Sequence, residues 1–319
     1  ITFVTILDRY RASNDEAAGE KALSIILNTM VLVLGGAIVL AEVFTGSGCP
    51  PCAGADVAFD AAMERYDSKS LAVVMYHLHI PRPDPMANPD TLARAKSYSV
   101  SAVPSFLIDG QKTVGGGSRE TAPGLFGRFQ KDLEKDLETA SEATIKIDAG
   151  LNGDSVKVSA VVDGVPSDGV QSESRDLKVQ ILLVEKEIRH LGENGIRFHP
   201  MVVRAIGREK TEEEAAEKIG EKAGEEAEGY ALQPKGKGTF EVTFDLDTVS
   251  KALKAHLDDF ESKKAGFKFS AKRDQINRAG LAVVVFVQDD KTKHVLQAAY
   301  VDLSSGSGSH PTTLANGLK

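Results

Sequence analysis

Two cysteines occur in the 319 residues, three positions apart in Gly48-Cys49-Pro50-Pro51-Cys52. Cys-X-X-Cys spacing has two chemical uses. It closes a disulfide within one turn for thiol–disulfide exchange, or it supplies half of a tetrahedral metal site. A structural zinc needs four ligands and there is no second cysteine pair; among nearby residues only His77 and His79 could complete one. The two prolines stiffen the turn, and the flanking segments fit a redox dithiol better, so neither a metal nor another cofactor is expected. Cys49 is the expected nucleophile, because a helix beginning there would turn free N–H groups towards its sulfur. Cys52, one turn in, is the expected resolving thiol. Pro50 and Pro51 carry no N–H, which leaves the Cys52 amide as the local donor to a thiolate. A reductase or balanced exchanger is therefore expected over a strong oxidant.

The elements that must position this pair are legible on both sides. Ile38 to Phe44 reads as a buried strand, and Ala53 to about Tyr66 as a helix. Ahead of them, Ile1–Leu7 is a strand candidate and Ala17–Met30 has helical composition after the helix-start residues Ser13-Asn14-Asp15-Glu16. Ala22–Ala41 carries no charge and is long enough to cross a bilayer. Asn28, Thr29 and Gly35-Gly36 within it favour a helix followed by two strands, so membrane association is not favoured. Downstream come a strand at Leu71–His79, a proline-rich loop at Pro81–Pro89, and a helix from Asp90 to about Tyr98. Then follow a strand at Val103–Ile108, an Asp109-Gly110 hairpin turn with its return strand at Lys112–Val114, and a helix over about Arg119–Thr139.

The order β-α-β-α-β-α-β-β-α over residues 1–139 resembles the thioredoxin fold. Cys49-Pro50-Pro51-Cys52 at a strand-to-helix turn, Val103-Pro104 leading a strand, and the Asp109-Gly110 hairpin carry the resemblance. It implies that Pro104 is cis and faces the dithiol; the alternative is an ordinary edge-strand proline. It also implies a buried carboxylate under the second cysteine, six residues before the first. Val43 occupies that position, and Glu42 takes the role only if the Thr45–Gly48 loop holds one extra residue. Otherwise Glu42 pairs with an Arg or Lys at a strand edge. His77 and His79 end a strand that opens on the dithiol side. His77 either tunes the thiolate and carries protons or is a satisfied structural histidine. Glu42–Cys49, Tyr76-His77, Asp84-Pro85 and Arg94 further resemble a group of exported bacterial thioredoxin-like proteins that often carry a β-rich second domain. That resemblance implies an extracytoplasmic location.

The second half changes character. Ala143–Asp148 and Ser155–Val162 alternate like half-buried antiparallel strands, and further strands are expected at Leu177–Val184, Met201–Ala205, Thr239–Leu246, Leu281–Val287 and His294–Leu303. With a helix at Asp247–Phe260, this predicts a mostly-β immunoglobulin-like sandwich over residues 140–303 after an α/β thioredoxin-like domain over 1–139. His199 and Arg204 are expected to be structural there. Glu209–Gly229 holds nine Glu against three Lys, a net of −6, and reads as a solvated helix, a mobile loop or a partner-binding face. Residues 304–319 read as a loose Ser/Gly-led tail.

At 42% hydrophobic and 26% charged the chain is a globular protein, and its net charge of −8 argues against a nucleic-acid partner. Two readings follow. The first is a thiol–disulfide oxidoreductase whose partners are protein thiols and disulfides, served by Cys49, Cys52, Pro104, Glu42 and His77. The second is a non-catalytic binding or assembly subunit, with a thioredoxin-like scaffold and the sandwich as its contact surface.

Overall fold

A computed structural model describes residues 37–113, 116–139, 141–165, 175–208, 229–232 and 236–303. The expected strand at Ile1–Leu7, the helix at Ala17–Met30 and most of the uncharged Ala22–Ala41 segment lie outside these residues. So do nearly all of the acidic Glu209–Gly229 run and the tail. Among the described residues no helix is long and apolar enough to cross a membrane.

The first half alternates as its sequence pattern requires. Strand β1 (Val39–Thr45) leads through the cysteine turn into helix α1 (Cys52–Arg65), then β2 (Leu71–His77), α2 (Pro89–Ser97), β3 (Ser105–Ile108), β4 (Gln111–Thr113) and α3 (Ala122–Leu137). Asn88 caps α2: its side chain accepts from the Thr91 N–H, while the Thr91 side chain accepts from the Asn88 N–H. Asp109 and Gly110 turn β3 into β4 with positive φ at both residues, the backbone that a two-residue hairpin needs. β1 and β2 run parallel, with every residue buried, as expected of strands covered on both faces. Val39, Ala41 and Val43 face α1 and α3, together with Phe59, Phe106 and Phe129. Leu40 and Phe44 face the other way, with Val74 and Tyr76.

The second half supplies β5 (Thr144–Asn152), β6 (Ser155–Asp163), β7 (Leu177–Arg189), β8 (Phe198–Ile206), β9 (Tyr230–Ala231), β10 (Gly238–Asp245), α4 (Leu246–Lys263), β11 (Leu281–Asp289) and β12 (Val295–Asp302). These strands do not form a self-contained sandwich. β8 joins β2 in parallel, so one sheet runs β12-β11-β7-β8-β2-β1-β3-β4, with β9 on β7. Among the described residues only β10-β6-β5 form a separate sheet. It packs over β7 and β11, burying Val156, Val158, Ile181, Val283 and Phe244, and this layer is the part of the expected sandwich that exists. The opposite faces of β7 and β11, carrying Leu182, Val184, Val284 and Phe286, share a core with Phe44 and Tyr76 from the first half.

The large sheet curls far enough for β12 to return to the first half. The Ile38 N–H donates to Gln297 Oε1 at 3.0 Å, and the Val295 N–H donates to the Asp109 carbonyl at 3.1 Å. The expected boundary near residue 139 thus falls between two elements without dividing the sheet or its core. Apolar alternation gives each strand two faces; it carries no information about which strand becomes its neighbour.

Candidate functional site

Cys49 and Cys52 form a disulfide, with Cα atoms 5.3 Å apart, at the C-terminal end of β1. The helix starts at Cys52, not at Cys49, because the cysteine turn is itself closed by hydrogen bonds. The Cys52 N–H donates to the Cys49 carbonyl at 3.2 Å and the Ala53 N–H to the Pro50 carbonyl at 3.3 Å. The next amide, of Gly54, donates to the Gly117 carbonyl at 2.9 Å. The donors expected to face a Cys49 thiolate, the Cys52 amide included, are therefore engaged. Both cysteines are fully buried while Pro50 and Pro51 are exposed, so the prolines form the outer surface of the turn.

Pro104 lies against this turn from the opposite side. The Val103–Pro104 peptide is cis, and the Val103 carbonyl oxygen lies 3.6 Å from Cys49 Sγ. Gly116 passes beside the Pro104 ring, where a Cβ would sit 2.9 Å from the proline Cγ.

Glu42 is not part of this arrangement. It faces α2, on the side of the sheet away from the cysteine helix, because strand alternation places it with Leu40 and Phe44 and opposite Ala41 and Val43. There it is fully buried in a bidentate pair with Arg94, Nε to Oε1 at 2.8 Å and Nη2 to Oε2 at 3.0 Å. Tyr76 and Tyr98 donate their hydroxyls to the same carboxylate, and Gln288 of β11 accepts from Arg94. The expectation that Glu42 serves the cysteines is corrected: it ties β1 to α2 and to the second half.

The acid on the cysteine side is Asp56, which sequence reasoning missed. It lies one helical turn after Cys52 on the buried face of α1 and accepts the Thr45 hydroxyl at 2.9 Å. Burial pushes its carboxyl up to about 6, against the lowering pull of the Thr45 hydroxyl and of His77. The available signal was spacing: Cys52, Asp56 and Phe59 follow the i, i+4, i+7 rule for a single helix face.

His77, at the end of β2 and paired in register with Thr45, lies on the same side of the sheet as Asp56. Its Nδ1 is 2.9 Å from Asp84 Oδ2. Asp84 also accepts the Ser47 N–H at 2.6 Å and the Met86 N–H at 2.8 Å. Burial alone would raise the Asp84 carboxyl; His77 and these amides outweigh it and hold the group well below the usual carboxylate range. Asp84 thus anchors the loop before Cys49 and fixes the His77 ring. His79 is drawn elsewhere, its Nε2 3.2 Å from His256 Nε2 on α4. Its Nδ1 accepts the Asp84 N–H at 3.0 Å, so Nε2 carries the ring proton and is no metal ligand as it stands. Among the described residues no cluster of three or more His, Cys, Asp and Glu side chains could hold a metal.

The second half closes the site. The loop between β7 and β8 lies on Gly46-Ser47: the Asn194 N–H donates to the Ser47 carbonyl at 3.1 Å, and Glu193 pairs with Arg82. His199, expected to be structural, packs edge-on to His77 with ring centroids 5.1 Å apart.

No protein-family model and no curated protein matches the sequence. Among solved structures, HBP35 of Porphyromonas gingivalis is similar over 89% of this chain and 80% of its own, with a TM-score of 0.55 at 14% identity. A domain of the outer membrane lipoprotein Omp28 from the same organism aligns over 51% of this chain and 88% of its own, with a TM-score of 0.27 at 13% identity. At this identity the first match speaks to fold: the mixed α/β architecture with its large sheet has a counterpart that spans both halves of the chain.

Proposed function

We propose that this chain is an extracytoplasmic thiol–disulfide oxidoreductase of thioredoxin-like fold, exchanging electrons with protein disulfides through Cys49 and Cys52. One observation carries the reading: the two cysteines of the chain form a disulfide between β1 and α1, with the Val103 carbonyl against Cys49. In the reducing direction the Cys49 thiolate attacks a partner disulfide, giving a mixed disulfide and one partner thiolate. Cys52 then loses its proton, attacks Cys49 Sγ and expels the second partner thiolate. Two electrons pass to the partner and the Cys49–Cys52 bond re-forms. Cys52 is buried, so its proton needs an acceptor inside the protein, and Asp56 sits one turn away to take it. With the amides of the turn engaged, a thiolate at Cys49 gains little from them, which favours a reductant over a strong oxidant. The extracytoplasmic location rests on the resemblance of Glu42–Cys49 and the downstream residues to exported proteins.

The second reading, a binding or assembly subunit, is favoured by the full burial of both sulfurs. Catalysis of protein-disulfide reduction by dithiothreitol separates the two. The oxidoreductase accelerates it and Cys49→Ser does not; equal rates with both proteins would leave the scaffold.

A further inference from the structure

Asp56 cannot act repeatedly unless its proton reaches solvent, and α1, β1 and β2 enclose it. A small, water-sized cavity does reach it. Its lining includes Thr45, Asp56 and His77 from the first half and Ile196, Phe198 and His199 from the second. Phe198 is 55% exposed and lies at the outer end; His199 is buried. The hydrogen bonds fix one ring proton on each histidine. The His77 Nδ1–H donates to Asp84, and the His199 Nε2–H donates to the His190 carbonyl at 3.0 Å. Among the described residues no hydrogen bond occupies His77 Nε2 or His199 Nδ1, so each ring keeps one nitrogen for a proton or a water. The ionisable groups that act on Asp56 are His77 from β2 and Asp84 from the next loop, with His199 from β8 lining the same cavity; Cys52 precedes Asp56 by one turn on the buried face of α1. His190 and Arg273 stand behind His199.

We propose that this cavity is the proton exit of the redox site, so that the second half of the chain takes part in the chemistry. The inference rests on the oxidoreductase reading. As Cys52 attacks, its proton passes to the Asp56 carboxylate and on to His77 Nε2, giving an imidazolium beside the ionised Asp84. From there it leaves to water held between His77 and His199, and out past Ile196 and Phe198. His199 does not carry the charge: burial, with the nearby His77, lowers it to about 3 and keeps it neutral. It is a positioning residue, holding water with Nδ1 and the His77 ring with its edge.

The test isolates the step. A mixed disulfide of Cys49 with thionitrobenzoate is formed on the reduced full chain, and its release by Cys52 is followed by absorbance against pH. In the unmodified protein the rate rises as Asp56 ionises and then levels. His199→Phe keeps the ring edge but removes the nitrogen, and Ile196→Trp plugs the mouth without removing an ionisable group. Each should slow repeated turnover, with dithiothreitol and excess protein disulfide, at least roughly tenfold near neutral pH, while the single release, whose one proton Asp56 can take, stays within twofold; small buffers such as imidazole should restore the His199→Phe turnover rate. The glutathione equilibrium of the disulfide should stay within twofold. Unchanged turnover in both variants, or slow turnover that no buffer restores in His199→Phe, would overturn the proton exit while leaving the dithiol active. If the unmodified protein never releases thionitrobenzoate, the oxidoreductase reading itself fails, and the exit with it.

Discussion

Asp56 and Glu42 show how differently two buried carboxylates on one sheet can be used. Asp56 has a carboxyl raised from 3.8 to about 6, so the folded protein binds its proton more tightly than the unfolded chain does. Stability should therefore fall as pH rises from about 4 to 6 and stay lowered above that. The shift corresponds to roughly 3 kcal/mol at most. Asp56→Asn should raise the melting temperature at pH 7 and flatten that slope, as thermal melts across pH would measure; a lower melting temperature at pH 7 would contradict the assigned burial cost. Glu42 is held by Arg94 and two tyrosines, so Glu42→Gln leaves a buried guanidinium without its counter-charge and should cost about 3–5 kcal/mol in urea unfolding. The release rate of thionitrobenzoate should not change, since Glu42 lies on the other face of the sheet. The cysteines and Pro104 were legible because their spacing and context are rare. The partner of Glu42 was not, because Arg94 lies on another element far along the chain. Asp56 went unread because an aspartate in an exposed-looking helix resembles any solvated residue until the facing strand is known.

At the scale of elements, the site depends on how closely α1 and its neighbours approach. A Cβ on Gly54 would lie 2.5 Å from the Gly117 carbonyl oxygen and 2.6 Å from that of Ser118. Both are backbone atoms, so Gly54→Ala must push the 117–118 loop off the helix start. It should destabilise the protein by about 1–3 kcal/mol and speed reduction of the disulfide by dithiothreitol as the cover loosens. Helix α4 is held to the β2–α2 loop by the His79–His256 contact and by Phe260 stacked on His79. Burial, then the His256 charge, lowers His79 to about 4, and burial lowers His256 as well. The unfolded chain therefore takes up these protons first, and stability contributed here is lost as pH falls from about 6.5 towards 4. His256→Phe should shrink that acid loss in pH-dependent melts; an unchanged acid limb would show that other groups set it. Apart from the two-residue β9, the element order after β1 and the extent of α4 were readable from periodicity and caps. The engagement of α4 with His79 was not, since it joins residues far apart in the chain.

For the whole molecule, the sheet that runs from β12 to β4 makes the halves interdependent. Residues 37–139 alone would expose Leu40, Phe44, Val74 and Tyr76 along one face, where Leu182, Val284 and Phe286 now pack. That fragment should be poorly folded by itself and recover when co-expressed with residues 141–303, as amide-exchange protection would report. Independent folding would restore the two-domain division expected from the sequence. The composition changes near residue 139 while the sheet runs on across it: β8 lies beside β2, and no local pattern encodes a pairing between strands so distant. The proposed activity depends on Cys49 exchanging with partner proteins. The most direct measurement expresses Cys52→Ser, which keeps the nucleophile and removes the resolving thiol, beside a Cys49→Ser/Cys52→Ser control, and compares the two on non-reducing gels. Reducible adducts on the single variant alone are the predicted result. No adduct on the single variant, with both proteins co-purifying with the same non-covalent partners, would contradict it.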